Sequence, residues 1–521
     1  MADIEAHESR TKTKSASRVY PLIRTVHKYA GLMALAWLSV LGITGWILDH
    51  HDWRWTHQWS VPSWVTSAPI DRLVPGTIMR HIEVDTDDPA RWIGASERGL
   101  WLTEDSGATW RDIPFADMRG HPQVFRFVPA GDGGLDLIYM ATDDGLWTVS
   151  GSGSAADIRA ERLALKGEVV TSLSPGSTNT ELVGVAHHGE IFRLDVGAPD
   201  NVTWVNLDEV DVSNLPDTVP LNRFVLDLHV GEGLLPQPWS ILINDYGGIA
   251  MGILGLTGAL FWYLPRRWRG DKPKGKLKAR QQTLRWLYRG HGPVIGILAI
   301  VPILYVSITG VLVDHIRWLI EVGQEVPLTR ENLPPIYHFK TLNGEITHVV
   351  AYPDAPERYS VATRFGVLNS EDGGRTWRGD DSLPATLGTD AGNVNLLREG
   401  DYVFVGIGTK GNGYRRIGDE DWTFVEMPAD FLAITDATRR GGTWYLKNSR
   451  MISTGTLDGG FEPAGVAYPP VEGTTVYLFL ADIHTGNIIH GEFVWVNDIV
   501  AILAIILALT GPVAWWKRKW M

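Results

Sequence analysis

Four apolar runs decide what this chain can fold into. Tyr29–Leu48, Tyr246–Leu264, Gly292–Val313 and Ile499–Trp516 contain no Asp, Glu, Lys or Arg. Each approaches the roughly 20 residues needed to cross about 30 Å of hydrocarbon. Trp, Tyr and basic residues flank them, as at membrane–water interfaces. Helices buried in a soluble core would lack those flanks, so the runs are read as four transmembrane helices. The expected layout is a cytoplasmic N-terminus (1–24), spans at 25–50, 241–264, 290–315 and 494–516, inserts at 51–240 and 316–493, a basic loop at 265–289 and a tail at 517–521. The polar segment before the first run offers no cleavage site, so that run is expected to be a retained helix.

Basic residues set the expected orientation. The 265–289 segment carries Arg266, Arg267, Arg269, Lys272, Lys274, Lys276, Lys278, Arg280, Arg285 and Arg289 against Asp271 alone. The N-terminal side has Arg10, Lys12, Lys14, Arg18, Arg24 and Lys28, and the chain ends in Lys517, Arg518 and Lys519. By the positive-inside rule all three segments are cytoplasmic. That places both inserts on the outer side of the membrane. The net charge of −13 then belongs to the outer face and gives no reason to expect a nucleic-acid partner. With no cysteine in the chain, disulfides, thiolate metal sites, iron–sulfur clusters and thioether-linked haem are excluded.

The chain is duplicated. Thr44-Gly45 and Asp49-His50 recur as Thr309-Gly310 and Asp314-His315, both 265 residues on. Asn244-Asp245 recurs as Asn497-Asp498, Thr257-Gly258 as Thr510-Gly511, and Asp227-Leu-His229 as Asp482-Ile-His484. Two units of like orientation predict a pseudo-twofold axis along the membrane normal. Gly248, Gly252, Gly255 and Gly258 predict close helix approach. Asn244-Asp245 and Asn497-Asp498 read as helix N-caps.

The inserts repeat too. Thr103-Glu-Asp-Ser-Gly-Ala-Thr-Trp110 matches Ser370-Glu-Asp-Gly-Gly-Arg-Thr-Trp377. Both fit the Asp-box turn, in which Asp and hydroxyl side chains satisfy turn backbone groups and Gly supplies the permissive dihedral. Strand-like segments starting at Trp92, Tyr139 and Val183 recur about every 45 residues, a blade-like period. Others begin at Tyr359, Val403 and Trp444. The expected fold is therefore a membrane α-helical unit plus an all-β, propeller-like extracytoplasmic unit.

Histidine carries the chemical signal. His27 and His50 are 23 residues apart and His291 and His315 are 24 apart, so the first and third spans each bear a histidine near either face. Ionisable residues at that depth are functional candidates, and neutral imidazole is a common haem-iron ligand that needs no cysteine. The duplication pairs His27 with His291 on the cytoplasmic side. A one-residue slip opposes this pairing: His27 precedes Gly31 by four residues, while His291 precedes Gly296 by five, and one residue is about 100° of helix rotation. The outer side holds His50, His51, His57, His229, His315, His484 and His490. His50 and His315 are the first choice there and His229 and His484 the reserve. Arg54 and Arg317 are candidates for haem propionates or for lipid headgroups.

At His27-Lys-Tyr-Ala-Gly-Leu, Leu41-Gly-Ile-Thr-Gly, Asp482-Ile-His-Thr-Gly486 and Leu509-Thr-Gly-Pro-Val-Ala-Trp-Trp-Lys-Arg518 the sequence resembles the PepSY-associated transmembrane family. The resemblance covers the spans and their flanks, about a third of the chain. It implies haem and electron transfer in a bacterial inner membrane, with the inserts periplasmic. Together with the histidine pattern the expectation is two b-type haems, iron held by His27 with His291 and by His50 with His315, or by His229 with His484 in reserve. The donor would be cytoplasmic or the quinol pool, and the acceptor a periplasmic ferric chelate or redox protein. The Asp-box inserts depart from the small PepSY domains of many relatives. A non-enzymatic membrane protein whose head binds a periplasmic partner is the alternative. A sialidase-like hydrolase is disfavoured, because no arginine triad with a Tyr/Glu pair is evident.

Overall fold

In the computed structural model, residues 2–520 are described except for 51, 63, 66–78, 97, 119, 131–134, 152–156, 187–188, 208–210, 215–216, 271–276, 324, 339–341, 343, 364–365, 384–393, 408–410, 429–432, 449–450, 467–468, 470–472 and 491–492. Residues 2–19, 211–214, 270, 293, 317 and 517–520 are described by their backbone alone. The chain divides into two compact units. One comprises Met1–His51, Val225–Ile316 and Leu480–Met521, the other Asp52–Phe224 and Arg317–Phe479.

The first unit is helical. Its elements are α1 (Ala2–Asp49), α2 (Leu221–His229, in this unit from Val225), α3 (Trp239–Arg267), α4 (Leu277–Arg289), α5 (Ile300–Asp314), α6 (Val476–Thr485, in this unit from Leu480) and α7 (Val494–Trp520). Among the described residues, three stretches are long and apolar enough to cross a membrane: Tyr20–Asp49, Trp239–Arg267 and Val494–Trp516. A fourth is a bent pair, Leu277–Gly296 and Ile300–Asp314, meeting at 66°.

That fourth element differs from the straight span expected at 290–315, and the basic segment differs from the loop expected at 265–289. α3 continues to Arg267, and the chain is helical again from Leu277. Leu284, Leu287 and Tyr288 recur on one face of α4, and Leu287 is buried, so an amphipathic pattern overrides the charge. Gly290–Gly296 then forms a π-helical turn, with Ile297 N–H donating to the Gly292 carbonyl at 3.1 Å. Pro293 has no N–H to contribute there, so a regular α ladder is interrupted at this point.

α1 packs along α3 and α7, and α7 along α5. Ala34, Leu38, Ala250, Met251, Ala299, Ile303, Val500 and Ala504 form the shared core. A Cβ on Gly42 would stand 2.5 Å from the Gly248 carbonyl oxygen, so only glycine permits α1 and α3 to lie this close. Gly252 and Gly255 also face α1, while Gly258 faces His291. Met33, Leu256, Val301 and Leu509 are 58–72% exposed and give the bundle an apolar exterior suited to lipid.

The second unit is all-β. Among the described residues, its main body is six sheets, each built on four consecutive antiparallel strands. Sheet I is Met79–Val84, Trp92–Ser96, Gly99–Thr103 and Arg111–Ile113. Sheet II is Val124–Pro129, Ile138–Thr142, Gly145–Val149 and Ala160–Ala164. Sheet III is Val170–Pro175, Glu181–Ala186, Glu190–Asp195 and Val202–Trp204. Sheet IV is Ile346–Tyr352, Ala355–Thr363, Gly366–Ser370 and Thr376–Gly379; V is Asn395–Glu399, Tyr402–Gly406, Asn412–Arg416 and Thr423–Val425; VI is Asp436–Arg440, Thr443–Lys447, Ile452–Thr456 and Gly460–Pro463. Each first strand neighbours the first strand of the next sheet, and that of VI neighbours that of I. The 45-residue repeat is one sheet.

The two inserts contribute three sheets each and are stitched together. Asp211–Asn214 of the first adds a parallel edge to sheet IV, Ser60–Val61 pairs with Thr474–Thr475, and Thr218–Pro220 pairs with Pro327–Thr329. Where these first strands meet, buried polar groups bond across sheets. Asp436 accepts from Ile82 N–H at 3.0 Å and pairs with His81 and Arg126. Glu83 pairs with Arg440 and accepts from Thr438 at 2.9 Å. In the turns closing sheets I and IV, Asp105 accepts from Thr103, Thr109 N–H and the Thr109 hydroxyl, and Asp372 from Ser370, Thr376 N–H and the Thr376 hydroxyl, all at 2.6–3.0 Å. Gly107 (φ +84°) and Gly374 (φ +91°) take the left-handed conformation these turns require.

Candidate functional site

The helical unit brings its histidines together in two facing pairs. The rings of His27 and His291 stand 6.5 Å apart, centroid to centroid. Those of His229 and His484 stand 6.4 Å apart. Each pair takes one ring from each half of the duplication. Along α1, His27 and Thr44 (which contacts His484) are separated by about 25 Å, so the pairs lie toward opposite faces.

Each ring is held by a threonine of the other half. His27 Nδ1 lies 2.9 Å from Thr510 Oγ1, and His291 Nδ1 lies 2.8 Å from Thr257 Oγ1. His484 Nδ1 lies 2.8 Å from Thr44 Oγ1, and His229 Nδ1 lies 3.3 Å from Thr309 Oγ1. These hydroxyls donate their own protons to the carbonyl one helical turn back, at 2.6–2.8 Å: Thr510 to Ile506, Thr257 to Ile253, Thr44 to Val40 and Thr309 to Tyr305. With its proton so engaged, each hydroxyl oxygen can only accept from histidine. The proton of each imidazole therefore sits on Nδ1, and Nε2 carries the lone pair. The glycine after each threonine gives the ring room. A Cβ at Gly45, Gly258, Gly310 or Gly511 would lie 3.1–3.6 Å from the Cε1 of His484, His291, His229 or His27 respectively.

The one-residue slip has its physical counterpart in the π turn at Gly290–Gly296. A π turn accommodates one extra residue without rotating the helix beyond it, so His291 meets His27 despite the longer spacing.

His50 and His315 are engaged elsewhere. His50 Nε2 lies 3.2 Å from Asp245 and His315 Nε2 lies 3.0 Å from Asp498. The preceding asparagines bind the His229–His484 pair: Asn244 Nδ2 donates to the His229 carbonyl at 2.8 Å and Asn497 Nδ2 to that of His484 at 3.1 Å. The N-cap reading is thus corrected. α3 begins at Trp239 and α7 at Val494, so both Asn-Asp pairs sit inside helices and bond laterally. Asn244 also accepts from the Tyr305 hydroxyl, and Asn497 from Trp37 Nε1 at 2.6 Å.

A cleft of about 700 Å³, counted out to its open mouth, reaches the His229–His484 pair. Its lining includes His229, His484, Gly45, Gly310, Asp49 and Asp314. Arg54 is not there. It belongs to the β unit, where it pairs with Asp144 at 3.2 Å. His57, also in that unit, stacks on Tyr477 with centroids 4.6 Å apart. His51 and the Arg317 side chain lie outside the described residues.

Sequence reasoning used the four Thr-Gly pairs only as markers of duplication and did not see their role. The signal was present: each span carries one Thr-Gly pair, placed at the end where a different segment supplies a histidine.

The match of the chain to the PepSY-associated TM region runs over residues 24–518. The chain belongs to the PepSY-associated TM family. The match takes in all four Thr-Gly pairs and both histidine pairs, so the site lies within what defines the family's extent here. No curated protein matches the sequence. Among solved structures the chain is similar to an ancestral GH74 enzyme (10% identity, 75% of this chain, 38% of that one, TM-score 0.33). It is similar also to the β-propeller domain of Cps50 (Swd1) from Myceliophteria thermophila (8% identity, 75% and 88% coverage, TM-score 0.30). A third is the computationally designed Ika8 protein (10% identity, 77% and 91% coverage, TM-score 0.31).

Proposed function

We propose that this PepSY-associated TM protein is a b-type-haem electron-transfer protein of the bacterial inner membrane, reducing a ferric chelate at its periplasmic face. One observation carries the reading: two cross-half imidazole pairs, each ring fixed with Nδ1 protonated and Nε2 as donor. Two imidazoles, one from each half, with centroids 6.5 and 6.4 Å apart and each with an unprotonated Nε2, are a donor set that would hold a haem iron. His27 and His291 would hold one haem and His229 and His484 the other. The outer assignment reverses the order of preference reached from sequence, because His50 and His315 are committed to aspartates. Bound haem would supply one-electron storage near each face.

The residues of the chain do the rest. The threonines fix tautomer and ring orientation, as the hydrogen-bond partners of metal-bound histidines commonly do. The glycines admit a flat group against the helix. The apolar core of the bundle keeps water from the interval between the pairs. The donor side is cytoplasmic or the quinol pool, with both termini and the basic α4 segment on that face. The inserts are periplasmic, and their six sheets are read as the blades of one propeller, supported by the succession of first strands from sheet I to VI and back to I.

A reduced-minus-oxidised spectrum of the purified protein, with haem counted per chain, is the test. Two haems are expected, one lost in His27→Ala or His291→Ala and the other in His229→Ala or His484→Ala. Protein from haem-replete cells that lacks haem bands would refute the reading.

A further inference from the structure

We propose that His50–Asp245 and His315–Asp498 are a duplicated set of general acids that protonate the oxygen ligands of the ferric chelate as its iron is reduced. The inference rests on the electron-transfer reading above and assigns a role to residues that reading leaves unused.

The two dyads have one design. In each, the aspartate is the more buried partner, with 12% and 11% of its side chain exposed, and the imidazole sits further out, at 18% and 37%. A carboxylate set behind a partly accessible imidazole supplies the counter-charge of an imidazolium while leaving the ring within reach of a ligand. Asp49 and Asp314, the residues directly before His50 and His315, line the cleft that reaches His229 and His484. The coupling to the His229–His484 pair is one residue long: Asn244 bonds the His229 carbonyl while Asp245 holds His50, and Asn497 bonds the His484 carbonyl while Asp498 holds His315. One dipeptide thus positions an electron-side ring and a proton-side ring at once, in both halves.

The chemistry needs such a donor. Hard oxyanion ligands hold Fe(III) strongly. One electron from the reduced protein converts Fe(III) to Fe(II) and weakens each Fe–O bond. The departing oxygen would carry a full negative charge at the edge of an apolar bundle, which is costly. Transfer of the imidazolium proton to that oxygen breaks Fe–O, forms O–H and leaves a neutral imidazole on its aspartate. The balance is chelate–O⁻–Fe(III) plus one electron and one proton to chelate–OH plus Fe(II). Water on the outer side returns the proton to the imidazole. The substrate class is therefore a ferric chelate with protonatable oxygen ligands, a catecholate or hydroxamate.

The test uses the full chain in lipid nanodiscs, reduced with dithionite under anaerobic conditions. Reoxidation is followed by stopped flow with a ferric tris-catecholate and, separately, with ferricyanide, which takes an electron without shedding a ligand or accepting a proton. In the His50→Gln/His315→Gln variant, both haems should remain, and the ratio of chelate to ferricyanide rates should fall about 100-fold, within the range of general-acid effects. Asp245→Asn/Asp498→Asn should lower the same ratio and keeps the test available where the glutamine variant folds poorly. Deuterium oxide should slow the chelate reaction of the natural protein and not that of the variants. An unchanged ratio overturns the proposal. So does loss of a haem from the His50/His315 variant, which would return those residues to the cofactor. Failure of the underlying reading looks different: a natural protein without haem, or one that neither oxidant reoxidises.

Discussion

Thr44 holds Nδ1 of His484 at 2.8 Å while giving its own hydroxyl proton to the Val40 carbonyl. The imidazole is thereby locked in one tautomer by a residue of the opposite half. Thr44→Val should leave an unsatisfied N–H against the helix and free the ring to turn. Loss of such a hydrogen-bond partner behind a metal ligand typically costs about 10–100-fold in metal affinity. We expect Thr44→Val and Thr309→Val to weaken retention of the haem proposed for His229 and His484, and Thr257→Val and Thr510→Val that of the one proposed for His27 and His291. Thr44→Ser, which restores the oxygen, should recover it. Haem titration of purified variants, with the low-spin spectrum as a second readout, checks this. Equal retention in the valine and serine variants would refute a positioning role.

The π turn at Gly290–Gly296 makes a sharper prediction. It absorbs one residue more than the matching stretch of α1, so it should tolerate losing one. Deleting Val294, which is 58% exposed, leaves His291 four residues before Gly296, as His27 stands before Gly31. That deletion should keep the haem proposed for His27 and His291. Deleting Met33, also exposed at 72%, shortens a regular helix and rotates His27 by about 100° relative to Thr44. It should remove one haem. Haem counts per chain compare the two; loss in the Val294 deletion would contradict the bulge interpretation.

The fold was legible wherever period and charge pointed the same way. Apolar runs, basic flanks and the duplicated dipeptides led to the helical unit, and the 45-residue spacing led to sheets of four strands. Two features were not legible. The 265–289 segment is so basic that charge masked the 3.6-residue spacing of Leu284, Leu287 and Tyr288. The bend before Ile300 depends on how a π turn and Pro293 share hydrogen bonds, which residue identity alone does not set. At the site, the four paired histidines were all named from sequence, but the choice between outer pairs was not. His50 and His315 are aligned with His27 and His291 along the same spans, which made them look like partners. What assigns them to Asp245 and Asp498 is lateral packing between helices, and lateral packing has no signature along the chain.

The turns of sheets I and IV give the β unit an acid-sensitive element. Hydrogen bonds from the Thr109 hydroxyl, the Thr109 amide and the Thr103 hydroxyl hold Asp105 at about 2, below its ordinary 3.8. A folded value below the unfolded one means the carboxylate stabilises the fold fully above about pH 4 and loses that contribution as pH falls toward 2. Asp105→Asn should therefore lower the melting temperature at pH 7, and the difference from the natural protein should vanish by pH 2. Thermal melts of the full chain in detergent, read by tryptophan fluorescence, test this; a difference that persists at pH 2 would rule out the carboxylate as its source.

Lys447 poses the opposite problem. It lies in the second strand of sheet VI with no exposed surface, its Nζ donating to the Asn448 carbonyl. Burial drives its pKa down to about 7 from 10.5, opposed in part by Asp436 and reinforced by Arg80. Between those two values the unfolded chain binds a proton that the folded chain does not. Stability from this residue thus rises as pH climbs from about 7 to 10.5 and is lowest below 7, where the ammonium must be buried charged. Lys447→Met keeps the volume and removes the charge. Asp436 retains His81, Arg126 and Ile82 N–H after the substitution, so no buried carboxylate is stranded. We expect the variant to be more stable at pH 6 by on the order of a few kcal/mol. The gain should shrink steadily toward pH 10, where the lysine is neutral in the fold and nearly so outside it. Melting temperatures of variant and natural protein at pH 6, 8 and 10 decide it. A destabilised variant at pH 6 would mean that the charged lysine stabilises the fold through the Asp436 network, and the desolvation account would fail.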